Sequence, residues 1–382
     1  MNAEIVLILT LAIILLISPF VSNILKLPVS IVEIVLGSLA NAFGLLHNNE
    51  MFKILAEVGF LYLMLLAGME VNLKELLKMG KNLFIKGFLF LIVLYMLSIL
   101  SIFLFKYSFI FILILPLISI GLMLSIQQEI GKQPWLDLAI KIGVLGELVS
   151  ILLLTVVSGY FEFGFNKELI RNIGILFGFL MFLTLIFLIL RTIFWWYPKL
   201  KIYLMPGIDK YFQDVRIAIS LFFIMISVML ILHLDMVLGA FIVGVFLTTF
   251  FEHNKDLEHK LSPFGFGFLI TIFFVHVGSS LKLSLISFAL IKDSIILTFL
   301  MIGLRIISSF LFFKELKFKN TILFGLSLSM PLTLLIAIAT LAHQNHSISD
   351  YWFSVFVTTA VLEVIVTMLG VKIINKISKK SL

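Results

Sequence analysis

Three ionisable side chains sit where a chain this apolar has least reason to keep them: Glu147, Arg305 and Glu363. Glu147 lies in LAIKIGVLGELVSILLLTVVSG (138–159), Arg305 in DSIILTFLMIGLRIISSFLFF (293–313), and Glu363 in the last apolar run. These runs have the length and apolarity of membrane-crossing helices. A central Asp, Lys or Arg costs roughly 2.5–3.5 kcal/mol on insertion scales, so such a group marks a function or a partner. Low-dielectric burial disfavours a carboxylate's charge, whereas a nearby cation favours it. A glutamate balanced between the two can hold either a proton or a desolvated Na+ or K+, but not both. Arg305 stays charged and is the expected counter-charge to Glu147. For Glu363, a polar helix contact and a route for protons both stand.

The elements that carry these residues follow from composition. Of 382 residues, 62% are hydrophobic and 13% charged, with mean hydropathy +1.20. A soluble domain is nearer half apolar and a quarter charged. The long, non-alternating apolar runs point to an all-α polytopic membrane protein rather than a barrel. About 13 spans are expected, near 3–22, 28–46, 54–72, 83–105, 108–127, 138–159, 170–192, 215–233, 235–251, 264–281, 292–313, 320–342 and 351–372. The first run lacks a positive leading segment and a small-residue cleavage site, so it reads as a retained helix. With the N-terminus outside, 21 of the 28 lysines and arginines fall in inside loops and 6 in outside loops, Arg305 alone being within a span. That bias places the C-terminus inside, and the net charge of +7 reflects orientation rather than nucleic acid. Cysteine is absent, which excludes disulfides and thiolate metal sites.

Two spans are interrupted. The fifth, FIFILILPLISIGLMLSIQQ, holds Pro116 and Gly121 with Ser119 and Ser125; the twelfth, NTILFGLSLSMPLTLLIAIATLAH, holds Gly325 and Pro331 with Ser327, Ser329 and Thr333. Proline removes a donor and clashes with the preceding turn. Such breaks survive in lipid where hydroxyls, water or neighbours satisfy the freed groups. Seven spans apart, the two run in opposite directions, the pattern of an inverted repeat around a transporter ion site. The expected division is a single membrane domain over 1–382: a first repeat near 28–159, an inside linker near 193–216, a second repeat near 235–372, and no soluble C-terminal domain.

At this point the chain resembles the monovalent cation:proton antiporter superfamily, its Kef-type/NapA-like branch in particular. LPVSIVEIVLGSLANAFGLL (27–46), GFLYLMLLAGMEVNLKELLK (59–78), LGAFIVGVFLT (238–248) and FFVHVGSSLKL (273–283) look like its second, third, ninth and tenth spans. The resemblance implies the sodium/proton antiporter fold, with spans five and twelve as the broken crossing helices. In that family the sixth span carries an Asp-Asp or Asn-Asp pair whose second member binds the ion. The matching pair here is Gly146-Glu147, so the role passes to Glu147 as the transient ligand of the cation, and the Lys or Arg of the eleventh span matches Arg305. Glycine replaces the first member of the pair. The resemblance also implies a homodimer, through the first span and spans eight and nine.

The function expected is secondary active exchange of Na+ or K+ for H+ by alternating access in the cell (inner) membrane. Ser119, Gly121, Ser327, Ser329, Pro331 and Thr333 are candidates for the oxygen shell and its backbone. One carboxylate implies one cation per proton, hence electroneutral exchange. No cofactor is expected beyond the transported ions. Glu33 reads as a helix-end residue that also lies on a candidate route. His276 reads as a packed histidine whose titration range would suit a sensor. His233 and Asp235 mark a loop. Glu129, Lys132, Asp137 and Lys141 flank the inside mouth as solvated charges or a funnel. Sodium-coupled uptake of an organic anion and a non-transporting sensor remain as alternatives. An intramembrane enzyme is not expected, because no HExxH, GxSxG or acid–histidine cluster occurs and His343 and His346 lack an evident third ligand.

Overall fold

Helix forms within each of the thirteen apolar runs in the computed structural model, as a backbone with no water to bond must satisfy itself internally, and the fifth and twelfth runs are each split into two helical pieces. The structure describes residues 3–46, 49–71, 76, 78–131, 133–163, 166–197, 199, 211–251, 256–281 and 287–379. Among them no strand occurs. Much of the expected linker, 200–210, lies outside the described residues, as do Lys132 and the side chains of Ser125 and Glu129.

The helices are α1 (Ala3–Leu25), α2 (Val29–Ala42), α3 (Glu50–Glu70), α4 (Lys81–Phe105), α5 (Phe111–Ile114), α6 (Gly121–Ile130), α7 (Pro134–Phe163) and α8 (Lys167–Trp196). They continue as α9 (Gln213–Ile231), α10 (Met236–Phe250), α11 (Asp256–Phe264), a π-helical turn (Gly265–Leu269) and α12 (Ile270–Ser279). The last four are α13 (Phe288–Ser309), α14 (Phe313–Ser327), α15 (Leu332–Gln344) and α16 (Asp350–Lys379). Among the described residues 9 helical stretches are long and apolar enough to cross a membrane; one of them, Phe288–Gln344, holds two of the expected runs. The runs expected at 28–46 and 235–251 form the shorter helices α2 and α10, of 14 and 15 residues. Starts are set by side chains that accept exposed backbone N–H groups: Asn49 for α3, Asn166 for α8, Asp235 for α10 and Ser287 for α13. His233, at φ 54°, turns the chain between α9 and α10, so the expected loop at His233 and Asp235 is present.

Packing divides the chain into two compact units, each drawn from both halves of the sequence. Unit 1 is Met1–Lys74 with Thr155–Ser280. In it α2 packs on α1 and α12, and α3 packs on α10 and α12. Two of these pairs approach backbone to backbone. A Cβ on Gly244 would lie 2.1 Å from the Leu65 carbonyl oxygen, and one on Gly278 would lie 2.0 Å from that of Ile34. Small residues at such crossings let membrane helices gain dispersion contact that apolar burial alone does not supply in lipid. Thr248 Oγ1 donates to Met69 O at 2.6 Å, tying α10 to α3, and Lys260 pairs with buried Asp214 at 2.6 Å.

Unit 2 is Glu75–Leu154 with Leu281–Leu382. Here α13 packs against α4, α14 and α16, while α15 and α14 both rest on α16. Phe90, Phe312 and Phe324 form an aromatic wedge with ring centroids 5.1–6.2 Å apart. Glu147, Arg305, Glu363 and both interrupted spans belong to this unit.

Candidate functional site

The first break runs from Leu115 to Ile120, between α5 and α6, where Pro116 cannot continue the ladder. The second runs from Leu328 to Pro331, between α14 and α15. Glu147, on α7 and 2% exposed, faces the first break. Its Oε1 accepts the Ser119 hydroxyl at 3.2 Å, and its Oε2 accepts the Ile120 N–H at 3.4 Å. Ile120 caps the N-terminus of α6, where unpaired N–H groups and the helix dipole favour an anion. Both contacts are at the long end of the hydrogen-bond range, so the carboxyl is placed without being clamped. Ser119 Oγ also lies 3.3 Å from Thr333 Oγ1, at the start of α15. The two breaks therefore meet, and they bring one carboxyl and two hydroxyls together.

The other shell candidates are arranged differently. Ser327 donates to Phe324 O at 2.8 Å and Ser329, in the break, to Gly325 O at 3.0 Å, both bonding back into α14. The Ser329 carbonyl accepts the Thr367 hydroxyl at 2.9 Å, which fixes the second break to α16. Pro331 caps α15, and Gly121 is the first residue of α6.

Arg305 corrects an expectation. Expected beside Glu147, it is instead paired with Glu363 of α16, Nη1 to Oε1 at 2.9 Å, with both side chains fully buried. The physical reason is reach and valence. Glu363 faces Arg305 across the tight α13–α16 contact, and a buried guanidinium needs a carboxylate or carbonyls for its fork of donors. Nη1 also donates to Met301 O at 2.9 Å, and Nη2 donates to the Leu117 carbonyl in the first break. Arg305 and Glu147 thus both bond the first break, Arg305 at the Leu117 carbonyl and Glu147 at Ser119 and Ile120. Glu363 makes a polar contact between α16 and α13.

Gly146 has a clear packing role. A Cβ there would lie 2.6 Å from Ile118 Cδ1 and 3.0 Å from Ile118 Cβ. Ile118 belongs to the break, so the chain passes where a second acid or amide would stand. Among the remaining candidates, Glu33 and His276 lie in unit 1: Glu33 bonds Thr271 at 2.7 Å, and His276 sits edge-on to Phe52 at 5.0 Å. Asp137 and Lys141 line a cavity of about 520 Å³ with Asn82, Lys86 and Glu315. Asp137 there accepts Gln127 Nε2 at 2.9 Å, and Lys86 bonds Glu315. Asp137 and Lys141 lie ten and six residues before Glu147 on α7, about 15 and 9 Å along its axis.

Sequence reasoning missed Tyr95, Ser150 and the Leu117 carbonyl. The Tyr95 and Ser150 hydroxyls are buried beside each other, and Arg305 Nε and Glu363 Oε2 are buried with no hydrogen-bond partner among the described residues. Ser150 was findable, since it stands three residues after Glu147 on a helix and shares its side. Nothing in the sequence around Tyr95 or Leu117 distinguishes either.

Known proteins resemble the chain along nearly its whole length. Residues 9–376 match the family described as "Sodium/hydrogen exchanger, transmembrane". The chain is 26% identical to the putative Na(+)/H(+) antiporter YjbQ of Bacillus subtilis, over 92% of this chain and 60% of that protein. It is 27% identical to the probable Na(+)/H(+) antiporter 3 of Methanocaldococcus jannaschii, over 94% of this chain and 95% of that protein. The chain therefore spans only 60% of the length of the B. subtilis relative. Its fold matches that of the sodium proton antiporter MjNhaP1 from M. jannaschii with a TM-score of 0.69 and 16% identity, covering 98% of this chain and 99% of that one.

Proposed function

The chain belongs to the sodium/hydrogen exchanger family, and from that membership we propose that it exchanges a monovalent cation, Na+ or K+, for H+ at Glu147. One observation carries the reading. A carboxyl 2% exposed is held by a hydroxyl and an amide of one broken helix, and a second broken helix joins it through Thr333. The relatives named as Na(+)/H(+) antiporters support the same substrate class.

In the proton-loaded state Glu147 is a neutral acid. Release of the proton leaves an anion against Ser119 and the Ile120 N–H, with the Thr333 hydroxyl beside Ser119. A desolvated cation then neutralises it, taking the carboxylate and the two hydroxyl oxygens as hard ligands. The same charge cannot be neutralised twice, so proton and cation compete for one site. With a single carboxylate the exchange is one for one and electroneutral. Broken helices supply backbone that rearranges at small cost, which suits a site opened alternately to each side. In this reading the N-terminus is outside, the C-terminus inside, the membrane is the cell membrane, and the protein acts as a homodimer through α1, α9 and α10.

Reconstituted vesicles test the proposal. Added Na+ or K+ should collapse an imposed pH gradient with the wild-type chain and fail to do so with Glu147→Gln, while Glu147→Asp should keep exchange at altered cation affinity. Undiminished exchange in Glu147→Gln would sink the assignment.

A further inference from the structure

Glu33 is a buried carboxyl that the exchange site does not use. It lies on α2, 3% exposed, and no cation pairs with it among the described residues. Its hydrogen-bond partner is the Thr271 hydroxyl, 2.7 Å from Oε1. That same hydroxyl lies 2.8 Å from the carbonyl oxygen of Phe266, inside the π-helical turn. A threonine hydroxyl has one proton to give and two lone pairs, while a backbone carbonyl can only accept. Both contacts are short, and a single Thr271 proton would have to be shared between them, as the Thr367 hydroxyl is between the Ser329 and Glu363 carbonyls. A carboxylic proton on Glu33 gives each contact a hydrogen of its own. Thr271 donates to Phe266, and Glu33 donates its own carboxylic proton to Thr271. Burial agrees, because an ionised carboxylate without a cation is too costly to keep in an apolar interior and neutralises instead.

We propose that Glu33 is a protonated carboxylic acid that donates to Thr271, a second proton-binding site of this chain, located in unit 1. The groups around it leave the proton in place. α2 has no other ionisable residue, and it packs on α12 and α1. The one ionisable residue of α12 is His276, which rests on Phe52; that of α1 is Glu4, in its first turn. On α3, which packs on the π-helical turn, Tyr62 donates to Leu261 O, Lys53 pairs with Glu57, and Glu50 and Glu70 stand at the two ends of the helix. None of these bonds Glu33. Loss of the proton would leave an anion against Thr271. The hydroxyl would turn to it and release Phe266, loosening the turn that joins α11 to α12.

Infrared spectroscopy of the full chain in lipid reads this directly. At neutral pH the spectrum should contain the carbonyl stretch of a protonated acid, and Glu33→Gln should remove one carboxyl's worth of it. Thr271→Val takes away the acceptor, so the Glu33 band should move to higher wavenumber. Amide hydrogen exchange over 265–271 should rise with pH as that band disappears in the wild type, and should not follow pH in Glu33→Gln. The proposal is overturned if Glu33→Gln removes only ionised-carboxylate absorption, or if Thr271→Val leaves the acid bands unmoved. Neither readout involves transport, so failure of Glu147 as the exchange residue leaves these outcomes intact.

Discussion

Gly146 shows how one missing side chain shapes the site. The family resemblance leads one to look there for a second acid or amide, and the structure fills that space with Ile118 from the break. Adding even a methyl group pushes on the segment that presents Ser119 and the Ile120 N–H to Glu147. Gly146→Ala should therefore lower thermal stability by about 1–3 kcal/mol, as overpacked cores do, and should weaken cation-driven proton flux. Ile118→Val removes the nearest clashing atom, so the double variant should recover part of both losses. Equal flux and stability in wild type and Gly146→Ala would show that the break has room to spare. A carboxyl held by two long contacts suits exchange better than storage, since each ligand must leave.

At the scale of elements, the Arg305–Glu363 pair acts as a bracket. It joins α13 to α16, and the second guanidinium nitrogen grips the Leu117 carbonyl, so the break is steadied from behind. Removing one partner leaves a buried unpaired charge, which costs roughly 3–5 kcal/mol, whereas apolar replacement of both is often neutral. Glu363→Gln should thus lower the unfolding temperature sharply, and Arg305→Met with Glu363→Leu should restore much of it. Calorimetry in detergent separates the two cases. The double variant should remain slow in exchange despite its stability, because nothing then holds Leu117. Full exchange by the stable double variant would make the bracket purely structural.

At the scale of the whole molecule, the chain builds two units with the same devices. Unit 1 has Gly244 against the Leu65 carbonyl, Phe60 stacked on Phe273 and Lys260 paired with Asp214. Unit 2 has Gly325 against Ile306, the Phe90–Phe312–Phe324 wedge and Arg305 paired with Glu363. Gly244 and Gly278 fall in the LGAFIVGVFLT and FFVHVGSSLKL segments that carried the family resemblance, and both abut a neighbouring backbone. Those glycines are therefore packing residues of unit 1. Gly244→Ala would force α10 off α3 and strain the Thr248–Met69 hydrogen bond. It should destabilise the protein by at least the overpacking cost of about 1–3 kcal/mol, read as a lower unfolding temperature, and Gly267→Ala, with open space around its Cβ position, is the control that should not.

The sequence by itself determined the helices, the two breaks and the costly residues. Each is a local or compositional property: apolar length makes a span, proline stops one, and an acid in hydrocarbon is conspicuous wherever it folds. Glu147, Ser119 and Thr333 were legible for that reason. The partners were not. Glu363 and Arg305 are 58 residues apart, Ser119 and Thr333 are 214 apart, and Glu33 and Thr271 are 238 apart. Which of two acids receives the arginine depends on helix crossings, and those are fixed by backbone approach at small residues and by the direction of side chains across the contact. Only the tertiary structure decided that Arg305 pairs with Glu363, that Gly146 makes room for Ile118, and that one threonine hydroxyl lies between a carboxyl and a carbonyl.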